Sequence, residues 1–266
     1  MEKLTLTYKE YWGYYWRVTS RHQIPGIFKY DEQLVDLIEK VCALKPGAEV
    51  LDLGCAGGDQ LKLFARKGCR VTGIDFVPSL IEYAKSVFEK EGLKGDLLVD
   101  DIRNIDYCNR FHLVTMLSGT FGYFDDDGNR EMLEKIYRAL KPGSMVFIDY
   151  LPVEKYYNTG RTKTWHEIGG GYELSEVWYD VPTSTRRSRN THIMLDGRII
   201  EGAEDGVISE VLRCYTAREI ELLAENVGFM VTDHLTRNHI GNAEYQPPPD
   251  EPRGMLVIRK AGSEAQ

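Results

Sequence analysis

The chain has 266 residues, 42 % of them hydrophobic, and a net charge of −8 at pH 7, the profile of a globular protein that can bury a large core. The excess of acidic residues argues against a nucleic-acid substrate. The sequence contains no run of about 18 apolar residues, so no membrane span is predicted. The first residues lack the charged start and apolar core of a signal peptide, so we expect a cytoplasmic protein.

The five cysteines bear on metal binding and on disulfides. They form no C-x-x-C pair and their number is odd, which argues against a zinc site and against a disulfide framework. The acidic run at 125–127 is interpreted as a solvated loop rather than as metal ligands. We therefore expect no metal ion.

The N-terminal segment, residues 1–44, is rich in aromatic side chains. Several recur at helical spacing and predict an amphipathic helix: Tyr8, Tyr11, Trp12, Tyr15 and Trp16. This helix either packs on the body of the protein or forms a lid whose aromatic rings close a ligand pocket. Asp31 is predicted to cap a second helix over 32–44.

Residues 45–151 alternate between apolar strands and amphipathic helices. We predict strands at 49–53, 70–75, 97–99, 112–117 and 145–149, and helices at 59–67, 78–91 and 130–140. Such alternation, with strands that are apolar on both faces, predicts a doubly wound parallel sheet covered by helices.

The pattern changes after residue 151. Residues 152–212 predict an antiparallel β insertion with strands at 173–179, 191–195, 198–200 and 207–215, and Asp196-Gly197 is a hairpin signal. The basic cluster at 186–189 is interpreted as a solvated turn or strand edge. Residues 213–260 return to the core with a helix whose capping box is Thr216 and Glu219, and with strands at 229–231 and 255–258. Residues 261–266 are predicted to be a disordered tail.

A glycine loop at 54–58 follows the first core strand, and Asp75 ends the second. This strand–loop–helix–strand–acid order is typical of a nucleoside site, where the acid accepts hydrogen bonds from ribose. The spacing fits either a dinucleotide or a single nucleoside. Asp59 stands where a pyrophosphate would meet the helix N-terminus, and its carboxylate favours a nucleoside without phosphate.

Four motifs in this order resemble the class I S-adenosylmethionine (SAM)-dependent methyltransferases: the stretch 50–58, Asp75, the segment 99–102 and the turn 138–144. The resemblance covers about 48–150. It implies a doubly wound, mixed seven-stranded α/β sheet of the Rossmann-like methyltransferase type, with SAM as the cofactor. One departure is Ala56, where the family usually has glycine.

Two further stretches narrow the resemblance. Residues 118–125 are similar to an S-F-G-Y-F-like segment that follows strand four in a subgroup acting mostly on small molecules, and 213–220 resemble that subgroup's C-terminal pattern. A small-molecule acceptor, methylated at O or N by in-line displacement, is therefore implied.

The resemblance also implies roles for individual residues. Asp52 reaches the SAM ammonium or pairs with backbone at the strand end, and Asp75 binds the ribose hydroxyls. The remaining cofactor contacts are the loop residues Gly54 and Ala56, the adenine neighbours Phe76, Asp101 and Ile102, the sulfonium neighbours Leu117 and Ser118, and Tyr15 from the N-terminal helix.

The acceptor side is less defined in the sequence. Tyr123 and His166 are the catalytic candidates, His166 because imidazole titrates near neutral pH. The predicted acceptor-binding residues are Tyr123, Glu176, Arg213 and Tyr215. Two alternatives remain: a SAM-binding regulator without turnover, and an RNA methyltransferase, which the acidic charge disfavours. The exposed strand edges of the insertion also favour a homodimer contact.

Overall fold

The computed structural model describes residues 2–18, 27–156, 160–202, 210–236, 240 and 254–262. The elements in these ranges are, in chain order, β1 (Glu2–Leu6), α1 (Tyr8–Val18), α2 (Ile27–Val41), β2 (Glu49–Leu53), α3 (Asp59–Arg66), β3 (Arg70–Asp75), α4 (Pro78–Glu91), β4 (Gly95–Val99), β5 (Phe111–Met116), α5 (Asp126–Ala139), β6 (Leu140–Tyr150), β7 (Thr162–Ile168), β8 (Gly171–Asp180), β9 (Thr185–Met194), β10 (Arg198–Gly202), β11 (Glu210–Arg213), α6 (Ala217–Val227), β12 (Phe229–Thr236) and β13 (Gly254–Lys260).

The central sheet has seven strands in the order β12-β13-β6-β5-β2-β3-β4. Strands β2 to β6 pair in parallel, and β13 and β12 add antiparallel strands at one edge. This confirms the predicted mixed seven-stranded sheet. Since parallel strands need crossover connections, the helices between them cover both faces.

Two apolar clusters hold those helices to the sheet. One joins α2 and α3 to one face, with Ile38 and Phe64 fully buried. The other joins α5 and α6 to the opposite face, with Leu133 and Ile220 fully buried. Full burial of such side chains stabilises the fold by about 1.5–3 kcal/mol each. No helix within the described ranges is long and apolar enough to cross a membrane.

The second sheet is the antiparallel insertion together with the N-terminal strand. Its order is β1-β10-β9-β8-β7, with β11 paired to one end of β9. The sequence did not predict β1 or β7, because both are short and carry polar side chains at most positions. β1 pairs in parallel with β10, a contact between distant parts of the chain that no local pattern reveals.

Three local predictions need correction. α2 begins at Ile27, so Asp31 lies inside the helix, where its buried Oδ1 accepts a hydrogen bond from Gln60 Nε2 at 2.9 Å. α5 begins four residues earlier than predicted because the Asp125 side chain caps it, accepting the Gly128 N–H. The basic cluster lies within β9, where Arg186 is paired with Glu210 of β11 rather than solvated.

Candidate functional site

A cavity of about 650 Å³ opens at the carboxyl ends of β2, β3 and β5, where sheets of this kind hold ligands. Its walls come from α1, from the glycine loop and from the turns that follow β3, β4 and β5. The lining residues are Thr7, Trp12, Asp52, Gly54, Cys55, Ala56, Gln60, Asp75, Phe76, Val77, Leu80, Asp101, Ile102, Arg103, Leu117, Ser118, Thr120, Tyr123 and Phe124. All predicted cofactor-binding residues except Tyr15 are among them.

The glycine loop begins at Gly54, which has a φ of 74°. A Cβ atom there would lie 2.8 Å from Thr120 Oγ1, closer than atoms can approach. The amides of Gly54 and Cys55 both donate to the carbonyl of Ile74, at 2.8 and 3.1 Å. The loop is thus pinned to the end of β3, and only glycine fits at its first position.

Ala56 also adopts a left-handed conformation, with a φ of 45°. Its amide donates to Asp75 Oδ2 at 3.0 Å, which holds the alanine in that conformation. In a residue with a Cβ, left-handed backbone lowers the stability of the fold by about 1–2 kcal/mol. The irregular residue of the motif therefore keeps the backbone shape that glycine would adopt, at a cost in stability.

Replacing Ala56 by glycine should relieve this strain. We expect Ala56→Gly to raise the free energy of unfolding by about 0.5–1 kcal/mol, since the gain in the folded state exceeds the added entropy of the unfolded chain. Urea denaturation of the ligand-free protein measures this. Ala43→Gly is the matched control, because Ala43 has a φ of 49° at the end of α2, away from the cavity. A loss of stability in Ala56→Gly alone would contradict the strain argument.

Asp75 stands at the end of β3 with both carboxylate oxygens engaged. Oδ1 accepts the amide of Val77 at 2.9 Å, and Oδ2 accepts that of Ala56. Burial raises the pKa of Asp75, and the two amides oppose that shift. Each oxygen keeps the capacity for a further hydrogen bond, so the carboxylate can serve as a fixed double acceptor for a vicinal diol.

Asp52, on the neighbouring strand β2, is buried and accepts a hydrogen bond from Thr115 Oγ1 at 2.7 Å. Burial raises the pKa of Asp52 to about 7; the Thr115 hydrogen bond opposes the shift and the charge of Asp75 adds to it. Two carboxyl groups thus share one end of the cavity. A positively charged ligand group would favour the ionised form of Asp52.

The turn after β4 supplies Asp101, Ile102 and Arg103. The Asp101 side chain accepts the Arg103 amide at 2.9 Å and pairs with its guanidinium, which also lies over the ring of Phe124 at 4.9 Å. Asp101 is thereby held at the cavity wall, beside the apolar surface of Ile102. This pairing of an acceptor with a flat apolar wall suits the edge and face of a heterocyclic base.

The loop after β5 forms the wall next to the glycine loop, with Thr120 packed against Gly54. Ser118 has a φ of 56°, and its amide donates to Asp149 Oδ2 at the end of β6, at 3.0 Å. Further along, the ring of Tyr123 meets Trp12 of α1 edge to face, with centroids 6.3 Å apart. Two aromatic rings from distant parts of the chain therefore meet at the cavity wall.

Five residues predicted for the site are not among the lining residues, and two of them, Tyr15 and His166, are connected to the buried His192. Tyr15 contacts Trp12 edge to face at 5.4 Å and stacks on His192 at 6.1 Å. His166 lies on β7, with Nε2 3.3 Å from Glu173 Oε1. The other oxygen of Glu173 is 2.8 Å from His192 Nε2. A single buried carboxylate thus connects two histidines that are distant in sequence.

The other three predicted residues make structural contacts. Arg213 pairs with Asp126 at 2.9 Å and with Glu219 at 3.0 Å. The buried hydroxyl of Tyr215 donates to Asp126 Oδ1 at 2.8 Å. Glu176 lies on β8, 3.5 Å from the cationic groups of Arg161 and of Lys163.

Several lining residues were not predicted for the site. Thr7 and Trp12 come from the N-terminal segment, in which the sequence predicts a cofactor contact only for Tyr15. Gln60 lies in the first turn of α3, and Thr120 and Phe124 belong to the loop after β5 whose motif was recognised. The motif at 118–125 contains Thr120 and Phe124, whereas no sequence signal identifies Gln60.

Asp59 is not among the lining residues, and its carboxylate is paired with Lys62 at 2.9 Å. Its charge is therefore compensated, and the electrostatic argument from Asp59 against a pyrophosphate is weaker than the sequence indicated. The choice of nucleoside rests on the cavity itself and on relatives.

Residues 50–143 match the family model described as a methyltransferase domain. A carboxy-S-adenosyl-L-methionine synthase from an Enterobacter species is 27 % identical over 134 residues, which are 48 % of this chain and 53 % of that enzyme. This chain thus spans about half the length of that relative.

Solved structures extend the likeness over most of the chain. A SAM-dependent methyltransferase from Clostridium acetobutylicum gives a TM-score of 0.73 at 17 % identity, covering 96 % of this chain and 99 % of that one. A SAM-bound amino pentose methyltransferase from Micromonospora echinaspora gives 0.63 at 17 % identity, covering 87 % and 90 %. At such identities the likeness establishes the fold.

Proposed function

We propose that this protein, whose residues 50–143 match the family model of a methyltransferase domain and whose central sheet has the Rossmann-like methyltransferase fold, transfers a methyl group from SAM to an oxygen or nitrogen atom of a small molecule. The observation that carries the proposal is the glycine loop fastened to Asp75 at the carboxyl end of β3. It offers a close backbone surface and a double acceptor in one cavity.

The residues of the cavity fit SAM. Because Gly54 has no Cβ, Thr120 packs directly against its backbone, and both residues line the cavity beside the glycine loop. Asp75 accepts the two ribose hydroxyls. Asp52 attracts the ammonium group, and Asp101 with Ile102 holds the adenine. The carboxyl groups of Asp52 and Asp75 make this part of the cavity acidic, which suits a cofactor that carries a sulfonium and an ammonium charge.

When bound, SAM supplies a methyl group on an activated sulfonium, so that a lone pair of the acceptor can displace it in line. The protein's task is then to orient the acceptor and to exclude water. Of the residues proposed for the acceptor, Tyr123 lines the cavity, and Trp12 stands beside it. We therefore assign the acceptor to the side of the cavity formed by α1 and the loop after β5.

Arg213 and Tyr215 act on this side through the loop that carries Tyr123. The Arg213 amide donates to the carbonyl of Gly122 at 2.8 Å, and both side chains hold Asp126 at the start of α5. They are positioning residues in this proposal. His166 is connected to α1 through Glu173 and His192, so its contribution is also indirect, and Glu176 has no assigned role.

The class of acceptor is supported by the relatives. One acts as a carboxy-S-adenosyl-L-methionine synthase and another as an amino pentose methyltransferase, and both names describe small molecules. The first name also supports a second candidate, in which SAM itself is modified and no acceptor is methylated.

A panel of amines, sugars and phenols, screened for release of S-adenosylhomocysteine, tests the proposal. We expect release with at least one acceptor, and Tyr123→Phe should lower kcat/KM about tenfold while the dissociation constant of SAM stays unchanged, because one hydroxyl contact is lost on the acceptor side only. Mass spectrometry of the cofactor product separates methyl transfer from modification of SAM.

Tyr172→Phe is the matched control for Tyr123→Phe. Tyr172 is exposed on β8, outside the lining of the cavity, and loses the same hydroxyl. Equal losses in both variants would remove Tyr123 from the acceptor site. SAM binding without release from any acceptor would favour the regulator that lacks turnover.

A further inference from the structure

Strand β7 lies at the end of the insertion sheet. It pairs on one side with β8, from Thr162 opposite Val177 to Ile168 opposite Gly171, and no strand in the described part of the chain pairs with its other side. Its seven residues contain no proline, and their register with β8 contains no bulge. Soluble proteins usually protect such edges with one of these features, so this open edge is suited to pairing.

The outer face of this strand is apolar at its centre and charged at both ends. Lys163, Trp165 and Glu167 alternate on it, whereas His166 points to the opposite face, towards the buried Glu173. Trp165 is 69 % exposed and meets Tyr172 edge to face at 5.9 Å. Leu174, opposite Trp165 on β8, is also exposed. Exposed tryptophan and tyrosine side chains in such a cluster are typical of protein interfaces.

We propose that a second copy of this chain pairs antiparallel along β7, about a two-fold axis at Trp165, so that the two insertion sheets join into one. In this register Lys163 lies opposite the partner's Glu167, and Glu167 opposite the partner's Lys163. The two tryptophans face each other between the two ion pairs. This inference does not rest on the proposed function.

Charge distinguishes this register from the neighbouring ones. A slip by two residues in either direction keeps the same face outward but places Trp165 opposite Lys163 or Glu167, so that both Lys163–Glu167 pairs are lost. A slip by four places Lys163 opposite its own copy or Glu167 opposite its own copy, and like charges directly opposite are destabilising. A two-fold contact needs a self-complementary surface. The order Lys-x-Trp-x-Glu is self-complementary about its centre.

The surroundings of Lys163 support a second carboxylate partner. Within the chain its amine is 3.5 Å from Glu176, a carboxylate that it shares with Arg161 at 3.5 Å and Arg189 at 3.9 Å. Three cations thus surround one carboxylate. Because the whole chain has a charge of −8, this local excess of positive charge is a natural contact point for an acidic side chain of another copy.

Light scattering coupled to size exclusion, at several protein concentrations, tests the pairing. We expect wild type at twice the chain mass of 30.5 kDa. Lys163→Glu and Glu167→Lys should each weaken the dimer at least about tenfold, or about 1.4 kcal/mol, because each puts like charges opposite each other. The double exchange Lys163→Glu/Glu167→Lys should restore the dimer.

Arg130→Glu is the control, an exposed charge reversal on α5. Circular dichroism and the affinity for SAM should be unchanged in every variant, so loss of the dimer is separable from misfolding and from failure of the proposed function. A monomeric wild type would overturn the pairing. A dimer that survives both single reversals, or a double exchange that remains monomeric, would also overturn it. In the first case the dimer would form through another surface, and in the others the edge of β7 would be free for a partner other than a second copy.

Discussion

Asp75→Ala should lower the affinity for SAM at least about a hundredfold. The carboxylate accepts the amides of Ala56 and Val77, and in the proposed complex it also accepts both ribose hydroxyls. Hydrogen bonds to a charged group contribute about 1.5–3 kcal/mol each, so two of them account for a factor of this size. Isothermal calorimetry with SAM measures the loss.

Two further observations separate direct binding from loop damage in Asp75→Ala. Asp75→Asn keeps the shape of the side chain and one acceptor oxygen, so it should retain more affinity for SAM than the alanine variant. Thermal unfolding without ligand shows how much the released amides destabilise the loop. If Asp75→Ala bound SAM as tightly as wild type, the carboxylate would not contact the ribose, and the site assignment would fail.

The residues that the sequence predicts for the cofactor lie together in one cavity, except Tyr15, because the signals that identify them are local. The glycine loop, the acid at the end of β3 and the turn after β4 are each coded within a few residues, and the parallel strand order brings them to one edge of the sheet. What could not be predicted was conformation within a motif. Residue 56 is alanine where the family usually has glycine, yet it keeps the left-handed backbone because Asp75 accepts a hydrogen bond from its amide.

The residues predicted for the acceptor are more scattered in the structure, because this side of the cavity depends on contacts between distant segments. α1 and the loop after β5 are about a hundred residues apart, and only the fold brings Trp12 to Tyr123. In the same way, His166 is a separate candidate in the sequence, whereas the structure connects it to His192 through Glu173. Arg213 and Tyr215 have side chains suited to binding an acceptor, but in the structure both bind Asp126.

Gly54→Ala should cause a large loss of both stability and affinity. The new side chain would adopt a φ of 74° and place its Cβ 2.8 and 2.9 Å from Thr120 Oγ1 and Cγ2. Left-handed backbone costs about 1–2 kcal/mol, and overpacking of this kind adds about 1–3 kcal/mol. Urea denaturation should therefore show a loss of about 2–5 kcal/mol, a large part of the stability of an ordinary domain, and calorimetry should show SAM binding weakened with it.

Gly143→Ala separates the two causes. Gly143 has a φ of 79°, but no atom lies within 4 Å of a Cβ placed there, so this variant pays only the backbone cost of about 1–2 kcal/mol and keeps its affinity for SAM. Adding Thr120→Ala to Gly54→Ala removes the colliding side chain and should recover the overpacking part alone. If Gly54→Ala were as mild as Gly143→Ala, the Thr120 side chain would simply move aside. The first glycine of the loop would then be required for its backbone conformation rather than for the close approach of Thr120.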